Sequence, residues 1–235
     1  MTTPLREIAF DTETTGLNWS GDDRIIEVGA VELVNYVPTG RTFHERINPR
    51  RPVSDKTVEI TGITDAMLVD KPFFEDPKIV DALLAFIGDA PVVAHNAAFD
   101  RGFLNAELAR CGKPEIPLEQ WVDTLDIAKK RYPGAPASLD ALCKRFNVGL
   151  EARTLHGALL DSQLLAEVYL ELRGGRARAF DFSNGEDGAD GTRFRAAKQR
   201  PTPLPSAVTE TEADQHRAFI ATLGENAIWS RYLNS

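Results

Sequence analysis

Glu7-Ile-Ala-Phe-Asp-Thr-Glu-Thr-Thr-Gly-Leu17 reads as a β-strand, Glu7 to Glu13, that runs out into a turn. Side chains two apart on a strand share a face. Ile8 and Phe10 therefore point into a core, while Asp11 and Glu13 point the other way, roughly 7 Å apart by strand rise. Two neighbouring carboxylates repel unless a cation lies between them, and hard oxygen ligands suit Mg²⁺ or Mn²⁺. Thr14-Thr15-Gly16 then lets the backbone turn sharply and approach a ligand. An exposed polar strand end would leave the same pattern.

Outward from this strand the elements alternate. Arg24 to Val34 and Arg41 to Ile47 read as two further strands, with turn signals at Asn18-Trp-Ser-Gly21 and Pro38-Thr-Gly40. Phe73 to Ile87 has helical spacing, with Ile79, Leu83, Leu84 and Ile87 along one side. Pro91 to His95 is a short buried strand, and Asn96 caps a helix that Phe99, Phe103, Leu104 and Leu108 carry to Gly112. Val122 to Thr124 is a last strand, with helices from about Leu125, Ser138 and Ala158. Three strands followed by strand–helix alternation predict an α/β fold, a mixed sheet flanked by helices. There is no internal repeat.

Two more segments carry chemistry. In Val92-Val93-Ala94-His95-Asn96-Ala97-Ala98-Phe99-Asp100, an apolar strand stops at a polar pair, where strand ends often line a ligand crevice. Asp100 falls in the next helix's first turn, a position that also serves the helix dipole. In Thr154-Leu-His156-Gly157-Ala-Leu-Leu-Asp161, one continuous helix would set His156 and Asp161 about 140° apart. Gly157 removes that conflict by letting His156 lie on the loop before the helix, with Asp161 on its inner face. A lone structural histidine is the alternative. Taken together, four carboxylates and one histidine are the inventory for phosphodiester cleavage by two metal ions, with the histidine as base.

The 235-residue chain is 43% apolar and 26% charged, which excludes wholesale disorder and coiled coil. No apolar run approaches the ~18–20 residues that span a membrane, no secretory signal is readable, and two cysteines are too few for a disulfide framework. The expectation is a cytoplasmic protein without a membrane partner. A net charge of −8 argues against a broad basic nucleic-acid face, though not against nucleic acid held through metal ions or a tethered partner. Residues 173–205 carry 7 basic and 4 acidic groups, few apolar ones, and Pro201-Thr-Pro203-Leu-Pro205. They read as a linker. Beyond it Phe219, Ile220, Leu223, Ala227 and Ile228 recur at helical spacing, followed by Trp229, too short a tail to form its own core. It packs on the first domain or docks on another protein.

Asp-Thr-Glu-Thr-Thr-Gly-Leu (11–17), His-Asn-Ala-Ala-Phe-Asp (95–100) and His-Gly-Ala-Leu-Leu-Asp (156–161) resemble the three motifs of the DEDDh 3′–5′ exonucleases, over about residues 6–175. The resemblance implies a ribonuclease-H-like fold. It implies two divalent ions, Mg²⁺ or Mn²⁺, on Asp11, Glu13, Asp100 and Asp161, with His156 as general base. It places Thr14, Thr15, Gly16 and Leu17 along the terminal nucleotide, with His95, Asn96 and Phe99 nearby. The substrate it implies is a single-stranded or frayed 3′ end of DNA, and the product a nucleoside monophosphate. It further implies a proofreading subunit: an exonuclease domain (1–175), a flexible linker (176–205) and a segment (206–235) that docks on a polymerase catalytic subunit. Arg176-Ala-Arg-Ala-Phe180-Asp-Phe182 keeps the aromatics of a sliding-clamp motif without its leading glutamine, and Thr61 stands where the family often has histidine. The alternatives are a free-standing RNA or oligonucleotide-trimming exonuclease and a non-catalytic polymerase adaptor.

Overall fold

A computed structural model describes residues 4–149, 155–175 and 208–223. The expected linker, the 176–182 stretch and Trp229 lie outside the described residues. The chain divides into two units, 1–181 and 182–235.

The first unit is a five-stranded mixed sheet in the order β3-β2-β1-β4-β5. β1 (Arg6–Thr14), β2 (Ile25–Val34) and β3 (Val37–Arg46) are antiparallel neighbours; β4 (Val92–Ala94) and β5 (Trp121–Asp123) add parallel strands beyond β1. β1 is central and covered on both faces. Ile8 and Phe10 join Val28, Ala30 and Val92 against Phe103, Leu104 and Leu108 of α4 (Ala97–Arg110) and Leu83 and Ile87 of α3 (Val80–Ile87). Ala9, with Val31, Leu33 and Val93, lies on the other face under Leu165, Ala166 and Tyr169 of α7 (Ala158–Leu172). α5 (Thr124–Arg131) and α6 (Leu139–Phe146) close a further layer against α7 through Ala128, Leu142, Cys143, Leu164 and Val168. Each such large side chain contributes about 1.5–3 kcal/mol when fully buried, which is what fixes α4 and α7 on opposite sides of one strand.

Three local readings are corrected. The hairpin turn between β2 and β3 is Asn35-Tyr36, with φ of 51° and 69°, and Pro38-Thr-Gly40 lies inside β3. Two positive-φ residues match the twist of the strands they join. Asn35 Oδ1 accepts from the Leu5 amide, and the Tyr36 ring packs edge-on to Tyr169 at 5.6 Å, which holds a tyrosine in a conformation it rarely adopts. The helix expected from Phe73 begins at Val80. Pro77 lacks an N–H and disfavours helical backbone at Asp76, so residues 74–79 form turns. The chain between β3 and Phe73, left without elements by periodicity, holds two short helices, α1 (Asp55–Thr61) and α2 (Asp65–Leu68).

In the second unit α8 (Glu210–Thr222) starts with a capping box: Thr209 Oγ1 accepts from the Glu212 amide and the Glu212 carboxylate accepts from the Thr209 amide. Among the described residues no helix is long and apolar enough to cross a membrane.

The first turn of α7 presses directly on β2. A Cβ at Gly29 would fall 2.1 Å from the carbonyl carbon of Ala158 and 2.3 Å from the Leu159 amide nitrogen, and Ser162 donates to the Gly29 carbonyl at 2.8 Å. Gly29→Ala must therefore push α7 off the sheet. We expect a loss of about 1–3 kcal/mol or more in chemical denaturation and loss of the site described below; an unchanged denaturation midpoint would mean that α7 does not pack this closely.

Candidate active site

β1 delivers Asp11 and Glu13 on the face shared with Ala9, the face that α7 covers, and the strand register slips just after Glu13. α7 delivers Asp161 from its first turn, while His156 precedes the N-cap, Gly157. The loop before α7 is anchored: the His156 amide donates to the Ile60 carbonyl of α1 at 3.0 Å. Nδ1 of His156 lies 3.1 Å from Oδ2 of Asp161, the histidine side chain 48% exposed and the aspartate 4%. One ligand atom each from Glu13, His156 and Asp161 lie within 4.8 Å of one another. Residues almost 150 positions apart thus share one spot.

Asp100 comes from the opposite side of the sheet. It is buried in the first turn of α4, and Thr12, on the face opposite Glu13, donates to its Oδ1 at 2.8 Å. Burial pushes its carboxyl up to about 7, the Thr12 hydroxyl and backbone amides pulling the other way. Among the described residues the tight grouping holds Glu13, His156 and Asp161; Asp11 lies two residues back on the same face, and Asp100 is joined through Thr12.

The residues expected to contact the nucleotide lie on the segment that ends and follows β1 and at the β4–α4 junction. Thr14 Oγ1 donates to the Gly16 carbonyl at 2.6 Å, Thr15 Oγ1 to Asp23 at 3.0 Å, and Leu17 is 79% exposed. His95 Nδ1 lies 2.9 Å from Thr124 Oγ1, which itself donates to the Ala94 carbonyl; burial lowers the His95 pKa and keeps the ring neutral. Phe99 packs on Phe103 with ring centres 4.9 Å apart. Asn96 stands at the N-cap of α4 as expected, but its side chain makes no cap bond. The residue is left-handed, at φ 64°, and the capping carboxylate is Asp123 at the end of β5, which accepts from the Asn96 and Ala97 amides at 3.1 Å.

A profile of the exonuclease family matches residues 8–169. The DNA polymerase III subunit epsilon of Rickettsia felis is 43% identical over 228 residues, 95% of this chain and 99% of that protein. The chain belongs to the DNA polymerase III epsilon-subunit family of exonucleases. Exonuclease X, solved in complex with 5′-overhanging duplex DNA, is 32% identical with a TM-score of 0.56, over 72% of this chain and 91% of that one. The nuclease domain of 3′hExo, a DEDDh family member solved with rAMP, shares the fold at 18% identity, with a TM-score of 0.63 over 74% of this chain and 94% of that one. This epsilon-family chain is accordingly a 3′–5′ exonuclease with a ribonuclease-H-like fold, and divalent metal ions belong to the chemistry of its family.

The donors fit such ions. Glu13 and Asp161 offer carboxylate oxygens with an imidazole beside them, and Asp100 is a desolvated carboxyl that a cation would draw into its charged form.

Sequence reading missed the residue that links β2 to α7. Glu27 lies directly opposite Glu13 in the strand register, an unfavourable like-charge pair taken alone. It is buried, and accepts from Arg46 Nε at 3.0 Å and from the Ala158 amide at 2.8 Å, with His44 Nε2 at 3.1 Å. Glu27 therefore caps the helix that carries Asp161. The signal was present in Ile25-Ile26-Glu27-Val28-Gly29, one carboxylate and one glycine inside a buried apolar run.

Because folded Asp100 keeps a proton that the unfolded chain releases near its ordinary 3.8, this carboxyl's contribution to stability is full below about 4 and is lost as pH rises to about 7. In thermal scans with EDTA, Asp100→Asn should flatten that fall by several degrees. Equal slopes in wild type and variant would place the ionisation elsewhere.

Proposed function

We propose that the chain removes mispaired 3′-terminal nucleotides as the proofreading subunit of a bacterial replicative DNA polymerase, releasing nucleoside monophosphates. The observation that supports this most is the convergence of Glu13, His156 and Asp161 at the end of β1. Asp11, Glu13, Asp100 and Asp161 hold two divalent ions, Mg²⁺ or Mn²⁺. When bound, such ions neutralise charge on the scissile phosphate and acidify a water.

The chain's own groups supply the rest. With Nδ1 of His156 donating its hydrogen to Asp161 Oδ2, Nε2 carries the lone pair and takes the proton from the attacking water. The water oxygen bonds to phosphorus as the bond to the 3′ oxygen of the preceding nucleotide breaks; that oxygen leaves with the electron pair and takes a proton from solvent to become the new 3′ hydroxyl. Its half-exposed position lets the imidazole pass the water's proton on to solvent. The Asp161 carboxylate orients the ring, and the Ile60 carbonyl holds the backbone from which it swings. Thr14 to Leu17 lie along the terminal nucleotide, with His95, Asn96 and Phe99 beside it. Residues 206–235, which include α8, dock on the polymerase catalytic subunit, and tethering raises the local concentration of DNA ends.

A single-stranded DNA labelled at its 5′ end should yield a ladder shortening from the 3′ end with Mg²⁺ or Mn²⁺, and none with EDTA. Asp11→Ala and Asp161→Ala should abolish the ladder in folded protein; retained cleavage would remove these residues from the site. His156→Ala should slow neutral-pH cleavage by about 10²–10⁴-fold, the usual worth of a general base, while sparing metal affinity measured calorimetrically. Truncation after Gly175 should preserve cleavage and end co-purification with the polymerase subunit. Continued co-purification would move the dock into the exonuclease domain.

A further inference from the structure

The substrate of this reading is a polyanion, yet the chain carries a net charge of −8 and its site is built from carboxylates. Contacts that need no charge are then well suited to hold a strand beyond the scissile phosphate. The segment leaving the catalytic strand presents them. Leu17 is 79% exposed and Trp19 46%. They stand on a loop that is pinned throughout. Asp23 accepts from Thr15 Oγ1 and from the Asn18 amide, each at 3.0 Å, and pairs with Arg51 at 3.2 Å. The Thr15 amide donates to the Arg24 carbonyl, and Arg110 donates to the Gly21 carbonyl at 3.0 Å.

Trp19 is held against α4. A Cβ at Gly102 would fall 2.7 Å from Cδ1 of the indole and 2.8 Å from Cγ and Nε1. The ring therefore covers the helix where it has no side chain, and the residue as a whole stays partly exposed. Gly102 sits in the interior of α4, where glycine costs about 1 kcal/mol relative to alanine; helix stability does not ask for it, whereas seating the indole does. Gly102 is two residues beyond Asp100, about 3 Å further along the axis of α4 and about 200° round it, so the indole flanks the helix on a different side from the one that turns Asp100 toward Thr12.

We propose that Trp19 is a stacking platform for a nucleobase of the single strand, the one on the 5′ side of the terminal nucleotide that Thr14 to Leu17 accompany. The inference rests on the exonuclease reading above. Every base has a π-face, so the contact is sequence-tolerant, as removal of any mispaired end requires, and it needs no positive charge.

Two substrates separate this role from a structural one. With oligo(dT), Trp19→Ala should raise KM roughly 5- to 150-fold at nearly constant kcat, the range expected for one stacked base, and Trp19→Phe should recover most of it. With the p-nitrophenyl ester of thymidine 5′-monophosphate, which has no second base, both variants should match wild type. Unchanged KM on oligo(dT) would overturn the platform, as would a parallel loss on the ester, which would mean that the ring merely holds α4. Inactivity of folded wild type on both substrates would sink the exonuclease reading itself. The platform is then read from binding alone: oligo(dT) should quench tryptophan emission of Asp11→Ala, and adding Trp19→Phe should remove most of that quench. An equal quench in both proteins would overturn it.

Discussion

The approach of α7 to β2 is the constraint on which the site depends. The helix comes so near that only a hydrogen fits at Gly29, and Ser162 bonds to the same strand's carbonyl. Glu27, one residue pair from Gly29 on the same face, receives the amide of Ala158. A carboxylate at a helix N-terminus is favoured by the dipole and by the unsatisfied amides there. This one is doubly constrained, since Arg46 from the edge strand reaches it too. Strand, cap and helix start are therefore one unit. Asp161 inherits its position from that unit, and His156 inherits its own from Asp161 and from the Ile60 carbonyl.

A second carboxylate acts in the same way at the parallel end of the sheet. Asp123 closes β5, accepts from two amides at the start of α4 and from Leu125 at the start of α5. One side chain thus fixes the entry of the helix that bears Asp100 and of the next helix along. Further back, Glu7 is buried under α7, where Tyr169 donates to it at 2.7 Å and Arg173 donates to the tyrosine oxygen. Burial raises the Glu7 pKa. The face of β1 that carries Asp11 and Glu13 is in this way polar from Glu7 onward, apart from Ala9. A fully apolar face would pack as well; what the carboxylates add is a row of groups that want positive charge.

Much of this was legible. The alternation in Glu7 to Glu13 placed Ile8 and Phe10 in the core and the carboxylates opposite, and Gly157 was correctly read as the break that lets His156 precede its helix. What escaped was tertiary. Nothing local says that Asp100 reaches β1 through Thr12 from the other face, or that Asp123, and not the Asn96 side chain, would receive the first amides of α4. Pro38-Thr-Gly40 is stronger turn chemistry than Asn35-Tyr36, and the weaker signal won because Tyr36 finds Tyr169 and Arg173 to lie against. Short helices such as α1 and α2 carry too few residues for periodicity to register.

The charge balance also bears on substrate choice. A nuclease with a broad basic face would hold any DNA end, paired or not. Here the buried carboxylates need cations of their own, and the arginines nearest the strand end are already engaged: Arg24 grips Glu107 with two bonds, and Arg51 pairs with Asp23. Among the described residues beside that strand end, little positive charge is left to capture duplex. On the reading proposed above, an end is cut once it has separated from its template, and a mispaired end separates at lower cost. Selectivity then resides in the melting of the DNA, with no need for the protein to read a base. That requires a partner to keep ends within reach, which is why a weakly binding exonuclease is better suited to work as a subunit than alone.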